Sequence, residues 1–367
     1  MLIPVTSLLP ALQSVTSREK PSTPRWQGPL FVAGTWRSGT SLLYALLNKH
    51  PDIGLLYEGD LFLLRPLFWM PGSGRRWLAR WDFWNGALKR HGLDAQKFPQ
   101  DISRLPAAME KTYREYAQQK GALIWGEKSV HFHHFFNLLV QDFPDARFIF
   151  LWRDLAAICS SVIRAKDDFF LGRGWMTERT LGRYPVLIEQ CQRLMSRGVP
   201  VHQIHYENLT KDPVAEMKEV CNFLDIPFVP EMASLKGADR SAIYEGGHHS
   251  LVRSEKIVPA RQRSDVLSPD LKNKIDRSLS FWKERSGDRW PILWPTQKSG
   301  SRKTSWRERL FDWAWYRCLR AYDSLVAGIY CFAPLRLLQR YRNYKVGVLH
   351  QESWKHVGSE EKAGFNG

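Results

Sequence analysis

Pro29-Leu-Phe-Val-Ala-Gly34-Thr-Trp-Arg37-Ser-Gly39-Thr-Ser41-Leu-Leu-Tyr-Ala-Leu-Leu47 is the stretch that decides the fold of this chain. Leu30 to Gly34 is a short apolar run of strand type closed by a glycine. Ser41 to Asn48 then carries Leu42, Leu43, Leu46 and Leu47 at helical spacing, and His50-Pro51 stops that helix. A strand, a polar loop and a helix in this order open a βαβ pattern. A loop so placed has free backbone N–H groups at a helix N-terminus, where the helix dipole also favours an anion. Gly39 lets the backbone approach phosphate oxygens, Thr40 and Ser41 add hydroxyls, and Arg37 adds a planar fork suited to phosphate.

The spacing Gly34-x4-Gly39 is that of a Walker A loop, but Thr40 stands where that motif needs lysine. The cation lies three positions earlier, at Arg37. Taken alone, the loop reads equally well as a glycine-containing connector that binds nothing.

Outward from this unit, Ala122 to Trp125 reads as a short strand and Phe132 to Phe143 as a helix. Arg147 to Trp152 is the best buried strand in the chain, and Asp154 caps a helix reaching about Arg164. Val199 to Tyr206 reads as another strand. Asp212-Pro213 starts a helix with Val214, Met217, Val220, Cys221 and Leu224 on one face. Residues 60–120, rich in Trp, Phe, Arg and Gly, read as short helices with an irregular surface. Strands alternating with helices predict an α/β fold, a P-loop-type parallel sheet flanked by helices on both faces. Residues 1–27 read as an N-terminal arm, 28–295 as the catalytic domain, and 296–367 as a basic, Trp-rich helical C-terminal extension.

Composition narrows the function classes. The 367 residues carry 53 Lys+Arg against 37 Asp+Glu, a formal +16, and 44% hydrophobic residues exclude wholesale disorder. Such a charge suggests an anionic partner. The five cysteines are widely spaced with no CxxC pair, against a disulfide scaffold and a structural zinc site. His131-x-His133-His134 and His248-His249 lack a Cys or carboxylate at ligand spacing, so no metal is expected. Met1 to Ala11 reads as a loose arm rather than a signal peptide, and no segment reaches the roughly 18 apolar residues of a spanning helix. The expected compartment is the cytoplasm. In the extension, 13 Lys+Arg against 6 Asp+Glu give a net +7. Trp306, Leu310, Trp313, Arg317, Leu319 and Arg320 suggest an amphipathic helix that can meet an anionic membrane surface.

Several segments together resemble a known family. Trp36-Arg37-Ser38-Gly39-Thr40-Ser41-Leu42-Leu43 and His50-Pro51-Asp52 resemble the 5′-phosphosulfate loop of sulfotransferases that use 3′-phosphoadenosine-5′-phosphosulfate (PAPS). Arg147 to Asp154, followed by Ser161, resembles their 3′-phosphate motif, a strand ending in Arg with a Ser eight positions later. Trp125-Gly-Glu-Lys128-Ser resembles the family's Lys-Ser/Thr-Pro segment, with Val130 in place of the proline. Phe143-Pro144-Asp-Ala-Arg147, Tyr206-Glu207-Asn208-Leu209, Asp212-Pro213 and Phe223-Leu224-Asp-Ile226 resemble later segments, in the family's order, over roughly 28–230. The pattern is nearest the bacterial and tyrosylprotein-type branch.

The resemblance implies transfer of a sulfuryl group from PAPS to an acceptor hydroxyl or amine, leaving adenosine 3′,5′-bisphosphate, with no metal required. It assigns Arg37, Ser38, Gly39, Thr40 and Ser41 to the 5′-phosphate and Arg153 and Ser161 to the 3′-phosphate. Arg253 and Ser254 lie where related enzymes close the nucleotide site. Glu58, placed like the catalytic glutamate of the tyrosylprotein type, is the expected general base, with Asp60, His131, His133 and His134 as rivals. Lys128 is the expected electrophile toward the leaving oxygen. Trp69, Trp77, Trp81 and Trp84 line the acceptor pocket or simply fill core. The sequence does not identify the acceptor: a small alcohol, a phenol, a peptide tyrosine, a sugar or other glycan, a lipid and an amine all stay open, and no nucleic acid partner is expected. Two readings compete: a P-loop nucleotide phosphotransferase, and a basic non-enzymatic binder of nucleic acid or membranes.

Overall fold

A computed structural model describes residues 26–67, 86–94, 104–165, 175–243 and 266–286, with scattered positions in 252–258 and 306–340. The N-terminal arm through residue 25, Trp69, Trp77, Trp81 and Trp84, His248-His249, Arg253 and Ser254, and most of the C-terminal extension lie outside the described residues.

Five strands form one parallel sheet in the order β2-β3-β1-β4-β5: β1 (Pro29–Ala33), β2 (Ile53–Tyr57), β3 (Ile124–Ser129), β4 (Arg147–Trp152) and β5 (Val201–His205). β1, β2 and β4 are too apolar for a sheet with one wet face, and the burial explains why; the edge strand β5, Val-His-Gln-Ile-His, is mostly half-buried. Leu30, Val32, Leu55, Tyr57, Ile149 and Leu151 point to one layer; Phe31, Ala33, Leu56, Phe148, Phe150 and Trp152 point to the other. The period-2 alternation therefore separates two cores, as a sheet covered on both faces requires. Helix α1 (Thr40–Leu47) covers the first face. The second face packs against α3 (Leu105–Gln119), α4 (Phe136–Asp142), α5 (Leu155–Arg164) and α6 (Trp175–Ser196); a short α2 (Ala87–Arg90) precedes them. Helices α7 (Tyr206–Lys211) and α8 (Pro213–Leu224) return to the first face, and α9 (Pro269–Ser286) closes the second. No helix among the described residues is long and apolar enough to cross a membrane.

The order β2-β3-β1-β4-β5 places a topological switch between β1 and β4, whose following connections leave in opposite directions. Ligands of open parallel sheets bind at such a crevice, beyond the carboxyl ends of the strands. The loop after β1 and the Arg153-Asp154 step after β4 flank it.

Several elements differ from the sequence expectations. β2 was not expected, because Ile-Gly-Leu-Leu-Tyr is short and interrupted by Gly54. Residues 105–119 form one helix of 15 residues, not short pieces; Ala108, Thr112 and Ala117 on its buried face dilute the apolar period. The helix expected from Phe132 to Phe143 is broken at Phe135, a 3-10 turn (Phe132–His134) preceding α4. Val214, expected on the buried face of α8, is exposed. β3 runs to Ser129, so Lys128 is a strand residue.

Gly126 is the tightest point of the sheet. Its φ is +148°, and a Cβ there would lie 2.0 Å from the Leu30 carbonyl oxygen of β1. Gly121, at φ +69° before β3, has open space around the same position. Gly126→Ala should therefore cost at least about 2 kcal/mol of stability, from strain plus a backbone clash. Gly121→Ala should cost about 1 kcal/mol, from conformation alone. Denaturant titration of both variants checks the ranking; equal losses would mean that β1 and β3 do not approach this closely.

Candidate active site

The loop after β1 is built by two left-handed residues. Gly39 (φ +102°) is the N-cap of α1, and a Cβ there would lie 2.3 Å from a Tyr206 ring carbon, so the aromatic ring occupies the space glycine leaves. Arg37 (φ +66°) adopts the same region without being glycine. The Ser38 N–H and hydroxyl both donate to the Thr35 carbonyl, at 3.2 and 2.6 Å, which tightens the turn. Both Ser38 donors are thus spent on the loop itself, so of the backbone donors expected to meet a phosphate Gly39 is the one not tied up in this turn. No side chain caps α1, so the N–H groups of its first turn face the crevice without a side-chain acceptor. Ser41 Oγ and Tyr57 Oη share a hydrogen bond of 2.7 Å.

Across the switch, Arg37 and Arg153 interlock. Arg37 Nε donates to Ser161 Oγ on α5 at 2.9 Å, and Arg153 Nη1 donates to the Arg37 carbonyl at 2.8 Å. The Arg153 guanidinium lies 4.3 Å over the Tyr206 ring, and its Nε is buried without a hydrogen-bond partner. A buried guanidinium N–H without an acceptor marks a place where an anionic oxygen fits. Tyr184 of α6 donates to the Arg153 carbonyl at 2.9 Å. Asp154 caps α5 by accepting from Ala157 N at 2.7 Å, and burial raises its carboxyl above the ordinary value. Trp36, beside Arg37, donates to Thr180 Oγ1 at 2.6 Å, and Arg183 lies 4.1 Å over its ring. The loop is therefore held from α6 as well.

The other expected pair also meets. Lys128 and Glu58 form an ion pair at hydrogen-bond contact, with side chains 1% and 14% exposed. The Lys128 ammonium sits 4.1 Å over the Tyr57 ring, the residue it faces across the β2–β3 register. Tyr57 thus links this pair to Ser41 and the loop. Glu58 is itself left-handed (φ +50°), and its N–H donates to the Lys128 carbonyl at 2.9 Å. An ammonium has three donors, so Lys128 can hold Glu58 and still donate to an oxygen in the crevice.

The rival bases are accounted for. Asp60 is buried, with one oxygen accepting from Ser129 Oγ at 2.5 Å and the other 3.0 Å from His131 Nδ1. Burial alone would raise its carboxyl, but His131, the Ser129 hydroxyl and the Lys128 charge outweigh it and hold it below the ordinary value. His133 is buried. His131 is 37% exposed and anchored through Nδ1. Among the described residues no group of His, Cys, Asp and Glu is arranged to hold a metal ion.

Of the residues expected from the sequence, the structure brings together Arg37, Arg153 and Ser161, which the sequence divided between two phosphates, and Glu58 with Lys128. The sequence reading missed Tyr57, Tyr184, Thr180 and Arg183, which carry no motif. Tyr206 lay within a recognised segment, without an assigned task.

Comparisons with known proteins place the chain in a family. The model of a family described as the sulfotransferase family matches residues 29–230. A putative protein-tyrosine sulfotransferase of Caenorhabditis briggsae is 23% identical over 265 residues, covering 69% of this chain and 80% of that protein. Carbohydrate sulfotransferase 7 of Rattus norvegicus is 28% identical over 254 residues, covering 64% of this chain but 42% of that protein. Among solved structures, the sulfotransferase domain from the Synechococcus PCC 7002 olefin synthase aligns with a TM-score of 0.46 and 18% identity, over 70% of this chain and 98% of that one. The family match spans more than half of the 367 residues, and the chain belongs to the sulfotransferase family.

Proposed function

We propose that this transferase moves a sulfuryl group from PAPS to an acceptor hydroxyl, with Glu58 as general base and Lys128 and Arg37 stabilising the leaving phosphate. The observation that carries the reading is the convergence of two cationic clusters on one crevice. Arg37, Arg153 and Ser161 gather at the β1–β4 switch, and Lys128 with Glu58 lies next along the sheet, joined through Tyr57 and Ser41.

The residues suit a bis-phosphorylated nucleotide. The Gly39 backbone, the Thr40 and Ser41 hydroxyls and Arg37 would hold the 5′-phosphate end, with Ser38 bracing the turn through its two bonds to the Thr35 carbonyl. Arg153, with its unpartnered buried Nε, and Ser161 would hold the 3′-phosphate. Once bound, the donor supplies an activated sulfuryl group whose S–O bond to phosphate breaks as the acceptor oxygen bonds to sulfur. Glu58 takes the acceptor's proton as that bond forms. Lys128 donates to the bridging oxygen as it gains charge, an interaction stronger in the transition state than in the ground state. No step needs a metal. Both the missing Lys at position 40 and the family match disfavour a nucleotide phosphotransferase.

Relatives named for protein tyrosine and for carbohydrate sulfation support an acceptor hydroxyl, and a phenol or a sugar alcohol is the acceptor to test first. We place the activity in the cytoplasm. Cys159, Cys191 and Cys221, buried thiols without disulfide partners, suit a reducing compartment. The C-terminal extension would rest on anionic lipid: its described positions Trp306, Leu310, Leu325 and Leu337 are exposed, amid a net +7.

Calorimetry without magnesium should show adenosine 3′,5′-bisphosphate binding far more tightly than 5′-AMP or ADP. Arg153→Ala should erase that preference; equal binding of all three nucleotides by the wild type would remove the donor site. Against a panel holding a tyrosine peptide and a sulfatable oligosaccharide, Glu58→Ala should lower kcat by ~10²–10⁴ while bisphosphate affinity stays near wild type. Unimpaired turnover in that variant would assign the base elsewhere. Sedimentation with phosphatidylserine vesicles should show binding that weakens with salt and is lost on truncation near Gly300; binding to neutral vesicles alone, or by the truncated chain, would dismiss the membrane reading.

A further inference from the structure

Next to the reacting pair lies a carboxyl group that the mechanism does not use. Glu127 precedes Lys128 on β3 and, by strand alternation, points to the opposite face of the sheet. It is 0% exposed, in the aromatic layer that holds Phe31, Tyr113 and Trp125. An acid in such a layer is expensive unless its oxygens are bonded. Both are. Oε1 accepts from the Asp60 N–H at 2.6 Å, and Oε2 accepts from the Tyr113 hydroxyl.

The Asp60 bond reaches the site. Glu58 and Asp60 both hold left-handed backbone, at φ +50° and +52°, on either side of Gly59. Each costs free energy that the surroundings must supply. Three consecutive β3 residues do so: the Glu127 carboxyl takes the Asp60 N–H, the Lys128 carbonyl takes the Glu58 N–H, and Ser129 Oγ donates to Asp60 Oδ1. With the turn clamped so, the Glu58 carboxylate lands on the Lys128 ammonium.

We propose that Glu127 is a positioning residue for sulfuryl transfer: through the Asp60 N–H it holds the left-handed turn 58–60 that places Glu58 against Lys128. The inference rests on Glu58 as base. Burial, with the Asp60 charge beside it, lifts the Glu127 carboxyl well above its ordinary value. Both hydrogen bonds depend on the reach of the side chain, so a neutral group of the same length should serve as well. Glu127→Gln keeps an oxygen for Asp60 N–H and offers its amide to the Tyr113 oxygen. Glu127→Asp keeps the acid but withdraws it by one methylene.

Positioning therefore predicts that length matters and charge does not. Glu127→Asp should lower kcat about 10²-fold, as ångström-scale misplacement does, with acceptor KM and bisphosphate affinity near wild type. Glu127→Gln should stay within about fivefold of wild-type kcat, and Tyr113→Phe, which loosens one oxygen only, should fall between the two. Hydrogen exchange at the Asp60 amide gives the same ranking without turnover: faster in Glu127→Asp, intermediate in Tyr113→Phe, unchanged in Glu127→Gln. The proposal is overturned if Glu127→Asp retains kcat while Glu127→Gln loses it, if all three match wild type, or if bisphosphate affinity falls in step with kcat. A wild type that binds no bisphosphate sinks the proposed function instead, and the exchange ranking still decides whether Glu127 clamps the turn.

Discussion

A lysine ammonium almost wholly withdrawn from water sits at the centre of this structure, and the surrounding site follows from the need to compensate it. Burying an unpaired charge costs several kcal/mol. Lys128 meets that cost with the carboxylate of Glu58 on one side and the face of Tyr57 on another. Both compensating groups come from the end of β2, because the parallel register sets Tyr57 opposite Lys128 and Glu58 follows directly. Tyr57 passes the constraint on by sharing a proton with Ser41, at the start of α1. Lys128, Glu58 and the loop after β1 are thus placed by one strand pairing, and a register slip of one residue would turn Lys128 into the aromatic layer.

The loop solves a second electrostatic problem without the usual lysine. Its cation is moved to Arg37, whose left-handed backbone turns the side chain toward α5 while exposing its carbonyl to Arg153. The two halves of the sheet, which diverge at the β1–β4 switch, are joined there by two bonds, from Arg153 to the Arg37 carbonyl and from the Arg37 guanidinium to Ser161. Two arginines on one rim give the crevice a positive field that favours an anionic ligand.

The fold was legible wherever the chain obeyed its period. Arg147 to Trp152 and the Pro29–Leu47 unit are unmistakable, because an unbroken apolar run and a 3.6-residue stripe leave little choice. β2 escaped because Gly54 interrupts five residues, and α3 because threonine and alanine fill its buried face. Of the site, the charged residues were legible and their supports were not. Arg37, Arg153, Lys128 and Glu58 were named because their segments resemble motifs of the family, which carry the charged residues and not their supports. The hydroxyls of Tyr57, Tyr184 and Thr180 bond to partners 16, 31 and 144 positions away, and no local pattern marks a contact of that separation.

Backbone strain shows most directly what the fold is organised to do. Among the described residues, Arg37, Glu58, Asp60 and Asp225 are the non-glycine positions with left-handed backbone. Asp225 is the ordinary case, closing α8 as a helix C-cap. The other three stand just past the carboxyl ends of β1 and β2, on the rim of one crevice. A glycine at any of them would relieve the strain, and only the side chain gives a reason to keep it. At Arg37 that side chain is the cation of the anion loop, and at Glu58 it is the partner of Lys128. Asp60 anchors His131 and Ser129, and its N–H is held by Glu127. Strain of about 1–2 kcal/mol at each position is thus concentrated where charged groups must be aimed, and the hydrogen bonds from β3 and from Arg153 are what keep them aimed.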